Sequence, residues 1–191
     1  MCGIVGYFGE KEASPFILEG LSKLEYRGYD SAGMAILKDG EITVSKCKGR
    51  LKNLSDKLEN APLAGKIGIG HTRWATHGEP SDTNSHPHCN NDDTISVVHN
   101  GIIENYMELK KWLQEKGYKF LSETDTEVIP NLVDYYYEGD LLDAVIKATH
   151  KMEGSYAIGV ISVNEPGKLI AVRKDSPLIV GLGNKEYFIA S

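Results

Sequence analysis

Cysteine, positive charge and long apolar runs are all scarce in this chain. Its three cysteines, Cys2, Cys47 and Cys89, are odd in number and widely spaced in 191 residues. That excludes a disulfide framework and suits a reducing cytoplasm. Twenty-one Lys and Arg face 27 Asp and Glu, for a net charge of −6. A nucleic-acid partner is therefore not expected, because phosphate binding needs a basic surface. No apolar run approaches the ~20 residues that span a bilayer. The start lacks the charged and apolar regions of a secretory signal, so no membrane partner is expected either. Repeats, linkers and low-complexity tracts are missing. Walker-type Lys-Ser or Lys-Thr loops are missing too, and Gly68-Ile69-Gly70 is no dinucleotide fingerprint, because Arg73 stands where the third glycine belongs. What remains, 41% apolar and 25% charged residues, is the composition of one soluble globular domain.

Periodicity gives the elements. Residues 3–8 read as a buried strand. Ser14-Pro15 reads as the cap and first position of a helix carrying Ile17, Leu18, Leu21 and Leu24 on one face. Residues 32–37 and 41–47 flank Asp39-Gly40, a strong hairpin signal. A short helix over 51–58 and a glycine-bearing strand over 66–71 follow. Between Arg73 and Asp93 the pattern disappears into a long polar segment, and loops of that length in compact domains are usually functional or disordered. A strand over 94–99 runs into Asn100-Gly101. Residues 106–116 form a helix with Leu109, Trp112 and Leu113 inward and Gly117 as its stop. Thr124 and Glu127 have the spacing of a capping box, and Pro130 should kink the next helix or remove a bond from it. Asp140 caps a helix reaching 152. Strands over 155–162, 168–173, 178–180 and 187–190 finish the chain, joined by tight turns at 164–167 and 183–184, which imply antiparallel pairing. The class is α+β, antiparallel sheets covered by amphipathic helices. The last strand ends at Ser191, which reads as a domain cut from a longer polypeptide.

The start, Met1-Cys2-Gly3-Ile4-Val5-Gly6, carries the chemistry. A small second residue permits removal of Met1. Cys2 would then hold a thiol and a free α-amine, whose pKa near 7.7–8.0 lets it act as a base. Nucleophile and base on one residue is the N-terminal-nucleophile arrangement; the plainer alternative is a small residue at a strand start. Asn100-Gly101 is either a turn or an oxyanion hole built from a side-chain amide and a backbone N–H. Arg73 could clamp a carboxylate in bidentate fashion or make a weak surface ion pair. Trp74 beside it is a lid or a partly buried ring. Asp125 either answers a helix dipole or holds an ammonium group. His86-Pro87-His88-Cys89 invites zinc, but paired C-x2-C spacings and an H-E-x-x-H helix are missing, so polar loop residues are expected and no metal. Together, an amino-terminal thiol, an oxyanion hole and clamps for carboxylate and ammonium suit an amidase acting on an amino acid with a side-chain amide.

The stretches Cys2 to Gly6, EYRGYDSAG from Glu25, HTRWATHGEPS from His71, HPH from His86, HNGIIEN from His99 and SETDTEV from Ser122 resemble the class II glutamine amidotransferases. These are N-terminal-nucleophile hydrolases. Within them the resemblance is strongest to the glutaminase domains of the glutamine–fructose-6-phosphate aminotransferases. The resemblance implies a four-layer αββα sandwich of two antiparallel sheets. It implies residues 1–191 as a type 2 glutamine amidotransferase domain, without the sugar-isomerase domains of the family. It implies Cys2 as nucleophile, its α-amine as base, and Asn100 and Gly101 as the oxyanion hole. Arg73 is expected on the α-carboxylate of L-glutamine and Asp125 on its α-amine. Thr76 and His77 would line the pocket, Trp74 would gate it, and Arg27 and Gly28 would support the nucleophile. No cofactor is implied. Fructose 6-phosphate would be met only through the missing domains, and the full-length enzyme would be a cytoplasmic homodimer. Alternatives are the glutaminase domain of another class II enzyme such as an amidophosphoribosyltransferase, an acylase of the same superfamily, and a non-catalytic binding or metal module.

Overall fold

The structure, a computed structural model, describes residues 2–75 and 77–191. One sheet contains β1 (Gly3–Phe8), β2 (Ser31–Lys38), β3 (Glu41–Lys48), β4 (Ile67–Arg73), β9 (Ile179–Leu182) and β10 (Tyr187–Ala190), in the order β3-β2-β4-β1-β10-β9. The second contains β5 (His88–Cys89), β6 (Ile95–Ile103), β7 (Gly154–Ser162) and β8 (Ile170–Lys174), in the order β5-β6-β7-β8. Every strand pair within the two sheets is antiparallel.

Three apolar clusters mark the interfaces of four layers. Helices α1 (Ala13–Leu24) and α2 (Leu51–Asn60) set Ile17, Leu21, Leu54 and Leu58 against Val5, Tyr7 and Met34 of the first sheet. The sheets meet face to face through Ile4, Ile69, Val98, Ala157, Ile161 and Ile189. Helices α3 (Tyr106–Glu115), α4 (Val128–Tyr136) and α5 (Leu141–Thr149) cover the second sheet with Leu113, Leu132 and Val145 against Val97, Ile103 and Ile158. The order is αββα, each layer burying the stripe or face that its period of 3.6 or 2 presents. Among the described residues no helix is long and apolar enough to cross a membrane.

Several local expectations are corrected. The first helix begins at Ala13, and no side chain caps it; the Glu12 carboxylate instead accepts from the Gly65 N–H at 2.6 Å. Ser14 points its hydroxyl at the Met34 sulfur. The capping box of Thr124 and Glu127 does not form. The Glu127 carboxylate accepts from the backbone of Leu121 and Ser122, stapling the preceding loop. Pro130 is the third residue of α4, within the first turn, where N–H groups have no intrahelical partner, so it removes no bond. α5 ends at Thr149 rather than 152, with Asp140 capping it by accepting from Leu142 and Asp143. β6 does not stop at His99; it runs through Asn100 and Gly101 to Ile103, which removes the turn reading of that pair. His86 and His88, expected as satisfied polar loop residues, do find partners in the His99 N–H and the Thr124 hydroxyl, but both are buried and His88 lies in β5.

Candidate active site

Strand register brings the candidate residues to one end of the space between the sheets. On β4 the residues facing the second sheet alternate as Ile67, Ile69, His71 and Arg73, the first two in the inter-sheet apolar cluster. On β1 Ile4 lies on the same face and is paired with His71, and Gly3 is paired with Thr72. Cys2, one residue further, therefore comes out beside Arg73. On β6 Val98 belongs to the inter-sheet cluster, and two residues on Asn100 takes the same face.

The Cys2 sulfur accepts the Trp74 N–H at 3.2 Å. Burial pushes its thiol above the ordinary value, with the Trp74 backbone bond opposing. A thiol in that state needs an adjacent base to become a nucleophile. The segment carrying Trp74 is held by the stretch that leads into β2. Asp30 donates its N–H to the Arg73 carbonyl at 3.1 Å, and the Asp30 carboxylate accepts the Ala75 N–H. Gly28 is buried against the same peptide: a Cβ there would lie 2.7 Å from the Arg73 carbonyl carbon. The block 25–33 thus shapes the turn that faces the thiol.

Asn100 is fixed at both ends of its amide. Its Nδ2 donates to the Cys2 carbonyl at 3.2 Å and to the Ser191 hydroxyl at 3.0 Å. Its Oδ1 accepts from His71 Nε2 at 2.9 Å. Gly101 follows with φ +125, and a Cβ there would run into the Ser155 carbonyl. Only glycine lets β6 pass β7 that closely while its backbone lines the cavity.

Arg73 is buried, not at the surface as an ion pair would need. Its Nη2 donates to the carbonyls of His77 and Gly78. Its Nη1 is buried without a hydrogen-bond partner among the described residues, a costly state unless a ligand completes it. Asp125 is buried as well; its Oδ2 accepts the Ile103 N–H at 2.8 Å. Trp74 is 47% exposed and packs edge-on against Tyr29. Cys2, Arg27, Arg73, Trp74, His77, Asn100, Gly101 and Asp125 line one cavity of about 340 Å³. Thr76, also expected there, lies outside the described residues.

The sequence reading missed the floor of this cavity. His71, His86, His88 and His99 are buried together, with the His71 and His86 rings stacked at 4.1 Å between centroids. His86 Nδ1 accepts the His99 N–H at 3.3 Å, and the Thr126 hydroxyl meets His99 Nδ1 at 2.9 Å. Burial holds His71 down to about 3, His86 and His88 well below the ordinary imidazole range, and His99 below its ordinary value. All four are therefore neutral near pH 7. The loop bearing His86 is tied down by Lys46, whose ammonium donates to the carbonyls of Ser85, Pro87 and Thr83. Alternation along β4 could have singled out His71, since it follows Ile67 and Ile69 at period two. Nothing in the sequence marked Ser191, and Thr126 was carried only as part of the SETDTEV stretch.

A thiol, amide-type donors, an unsatisfied guanidinium nitrogen and a buried carboxylate in one cavity can hold an α-amino acid by both charges and attack a carbonyl on its side chain. Comparisons with known proteins give the family. Residues 71–191 match the family model described as "Glutamine amidotransferase domain". The whole chain is 75% identical to 31% of the glutamine–fructose-6-phosphate aminotransferase (isomerizing) of Clostridium acetobutylicum, and 56% identical to 32% of the enzyme of that name from Aquifex aeolicus. It thus spans about a third of the length of these relatives. Among solved structures, the glutamine phosphoribosylpyrophosphate amidotransferase from B. subtilis superimposes with a TM-score of 0.85, covering 99% of this chain and 41% of that one at 28% identity. The αββα arrangement is that of the N-terminal-nucleophile amidotransferases.

Proposed function

The chain belongs to the glutamine amidotransferase family, and from that premise we propose that it hydrolyses the side-chain amide of L-glutamine through a thioester on Cys2. Once Met1 is removed, the Cys2 α-amine takes the thiol proton, and the thiolate attacks the amide carbon. The developing oxyanion is stabilised by the Gly101 N–H and the Asn100 amide. The oxyanion takes the place of the Cys2 carbonyl as acceptor of one Asn100 amide hydrogen, while the bond to Ser191 keeps the amide anchored. The ammonium formed on Cys2 returns its proton to the leaving nitrogen, ammonia departs, and water cleaves the thioester to release glutamate. Arg73 Nη1 receives the α-carboxylate and Asp125 the α-ammonium. Thr76 and His77 line the glutamine pocket, Trp74 shields the ammonia, and Arg27 and Gly28 support the turn beside the nucleophile.

The observation that carries this reading is Nη1 of Arg73, buried and without a partner among the described residues, in the cavity that Cys2 opens onto. Residues 1–191 then act as a type 2 amidotransferase domain. In the full-length enzyme further domains deliver the ammonia to fructose 6-phosphate, as the names of the 75% and 56% identical relatives suggest, within a cytoplasmic homodimer. The amidophosphoribosyltransferase alternative rests on a structural neighbour at 28% identity and is the weaker one. The reading is tested with Cys2→Ala, which should bind glutamine and release no glutamate; continued release would remove Cys2 as nucleophile.

A further inference from the structure

The buried histidine beneath Asn100 has no part in the steps above, yet its hydrogen bonds are fully determined. The Cys2 carbonyl can only accept, so the Asn100 atom facing it at 3.2 Å is Nδ2. Ser191 agrees: its hydroxyl donates to the Pro177 carbonyl at 2.7 Å and so accepts from Nδ2. Asn100 Oδ1 is then the atom that faces His71 Nε2 at 2.9 Å, and the same Nε2 lies 3.0 Å from the His99 carbonyl. Two acceptors converge on one ring nitrogen, so that nitrogen carries the hydrogen. His71 Nδ1 is left a bare lone pair, buried and without a partner among the described residues. His86 is stacked on the face of the ring, 4.1 Å between centroids, which opposes its tilting.

From this geometry we infer that His71, as the neutral Nε2–H tautomer, is the positioning residue that orients the Asn100 amide toward the oxyanion. The inference rests on the reading of Asn100 as an oxyanion donor and extends it inward by one hydrogen bond. An asparagine amide is nearly symmetric in shape, so packing alone sets its orientation poorly. A donor fixed at Oδ1 and acceptors at Nδ2 make the flipped amide unfavourable at both ends, since the flip would set Oδ1 against the Cys2 carbonyl and Nδ2 against the His71 N–H. Removing the donor strands a buried carbonyl oxygen and releases the amide. Glutamine binding should not change, because Arg73 and Asp125 hold its charged end.

The test compares His71→Leu, which fills the space without a donor, with His71→Gln, whose amide nitrogen reaches about as far as Nε2. Both are measured in the intact protein. His71→Leu should keep KM for glutamine and lose kcat by at least about tenfold, up to the roughly 10²–10³-fold that an oxyanion donor supplies. His71→Gln should restore most of it. Alkylation of Cys2 by iodoacetamide, which builds no oxyanion, should proceed at the wild-type rate in both. The double variant His71→Leu with Asn100→Ala should be no slower than Asn100→Ala alone. His71→Met, also without a donor, replaces the leucine variant if that one does not fold. The inference is overturned by wild-type kcat in the donor-less variant, by alkylation that slows in step with kcat, or by a double variant slower than Asn100→Ala. Cys2→Ala is run alongside: residual glutaminase activity there would sink the parent reading instead.

Discussion

The two ends of the inter-sheet layer are built on the same strands and differ in kind. At one end Ile67 and Ile69 of β4 meet Val98, Ala157 and Ile161 in an apolar packing typical of sheet sandwiches. Two residues further along β4 the same face presents His71 and then Arg73, and along β6 Val98 gives way to Asn100. The first end holds the sheets together. The second gives up apolar contact for a buried polar cluster in which, among the described residues, His71 Nδ1, Arg73 Nη1 and His99 Nε2 have no hydrogen-bond partner. Strand alternation is thus used twice: it selects which residues enter the layer, and position along the strand decides whether they stabilise or react.

If that division is right, variants at the two ends should separate. Ile69→Ala at the apolar end should cost about 2–5 kcal/mol of stability by deleting buried groups and leaving a cavity. Its kcat on the folded fraction should be unchanged; equal stability, measured by denaturant unfolding, would contradict the role of this layer. Asn100→Ala at the polar end should raise the barrier by about 2.7–4 kcal/mol through the lost oxyanion donor, with a smaller change in stability. A large loss of stability with normal kcat would reverse the comparison. The smallest effect is in acid. His71 is held neutral at about 3 by burial, below the ~6.5 of an unfolded histidine. Between those values the unfolded chain binds one more proton, so this contribution is complete above about pH 6.5 and is lost progressively as the pH falls toward about 3. His71→Leu should flatten the plot of unfolding free energy against pH by up to about 1.4 kcal/mol per pH unit in that window; an unchanged slope would mean that His71 is not buried neutral.

Much of this was legible before the structure. The Asp39-Gly40 hairpin, the helices at 51, 106 and 141 and the strands at both chain ends follow from local period and turn chemistry, which act over a few residues. Capping failed at Ser14, whose hydroxyl turns to the Met34 sulfur, and at Thr124 with Glu127, whose carboxylate is taken by the backbone of residues 121 and 122. The partition of the last strands was not readable. β8 and β9 are separated by a short connection, yet they lie in different sheets, and short-range pattern carries no record of that crossing. The wall of the site was named from the chain start and the blocks around Arg73, Asn100 and Asp125, whereas the histidine floor was missed. A buried neutral histidine and a loop histidine look alike until burial is known.

The central claim is that one sulfur, freed by loss of Met1, performs the chemistry. It is tested most directly by intact and peptide mass spectrometry of the protein after treatment with a diazo-ketone analogue of glutamine. The account predicts a chain that begins at Cys2 and carries a single label on that residue. A label on any other side chain, or glutamine hydrolysis by a chain that still begins with Met1, would contradict it.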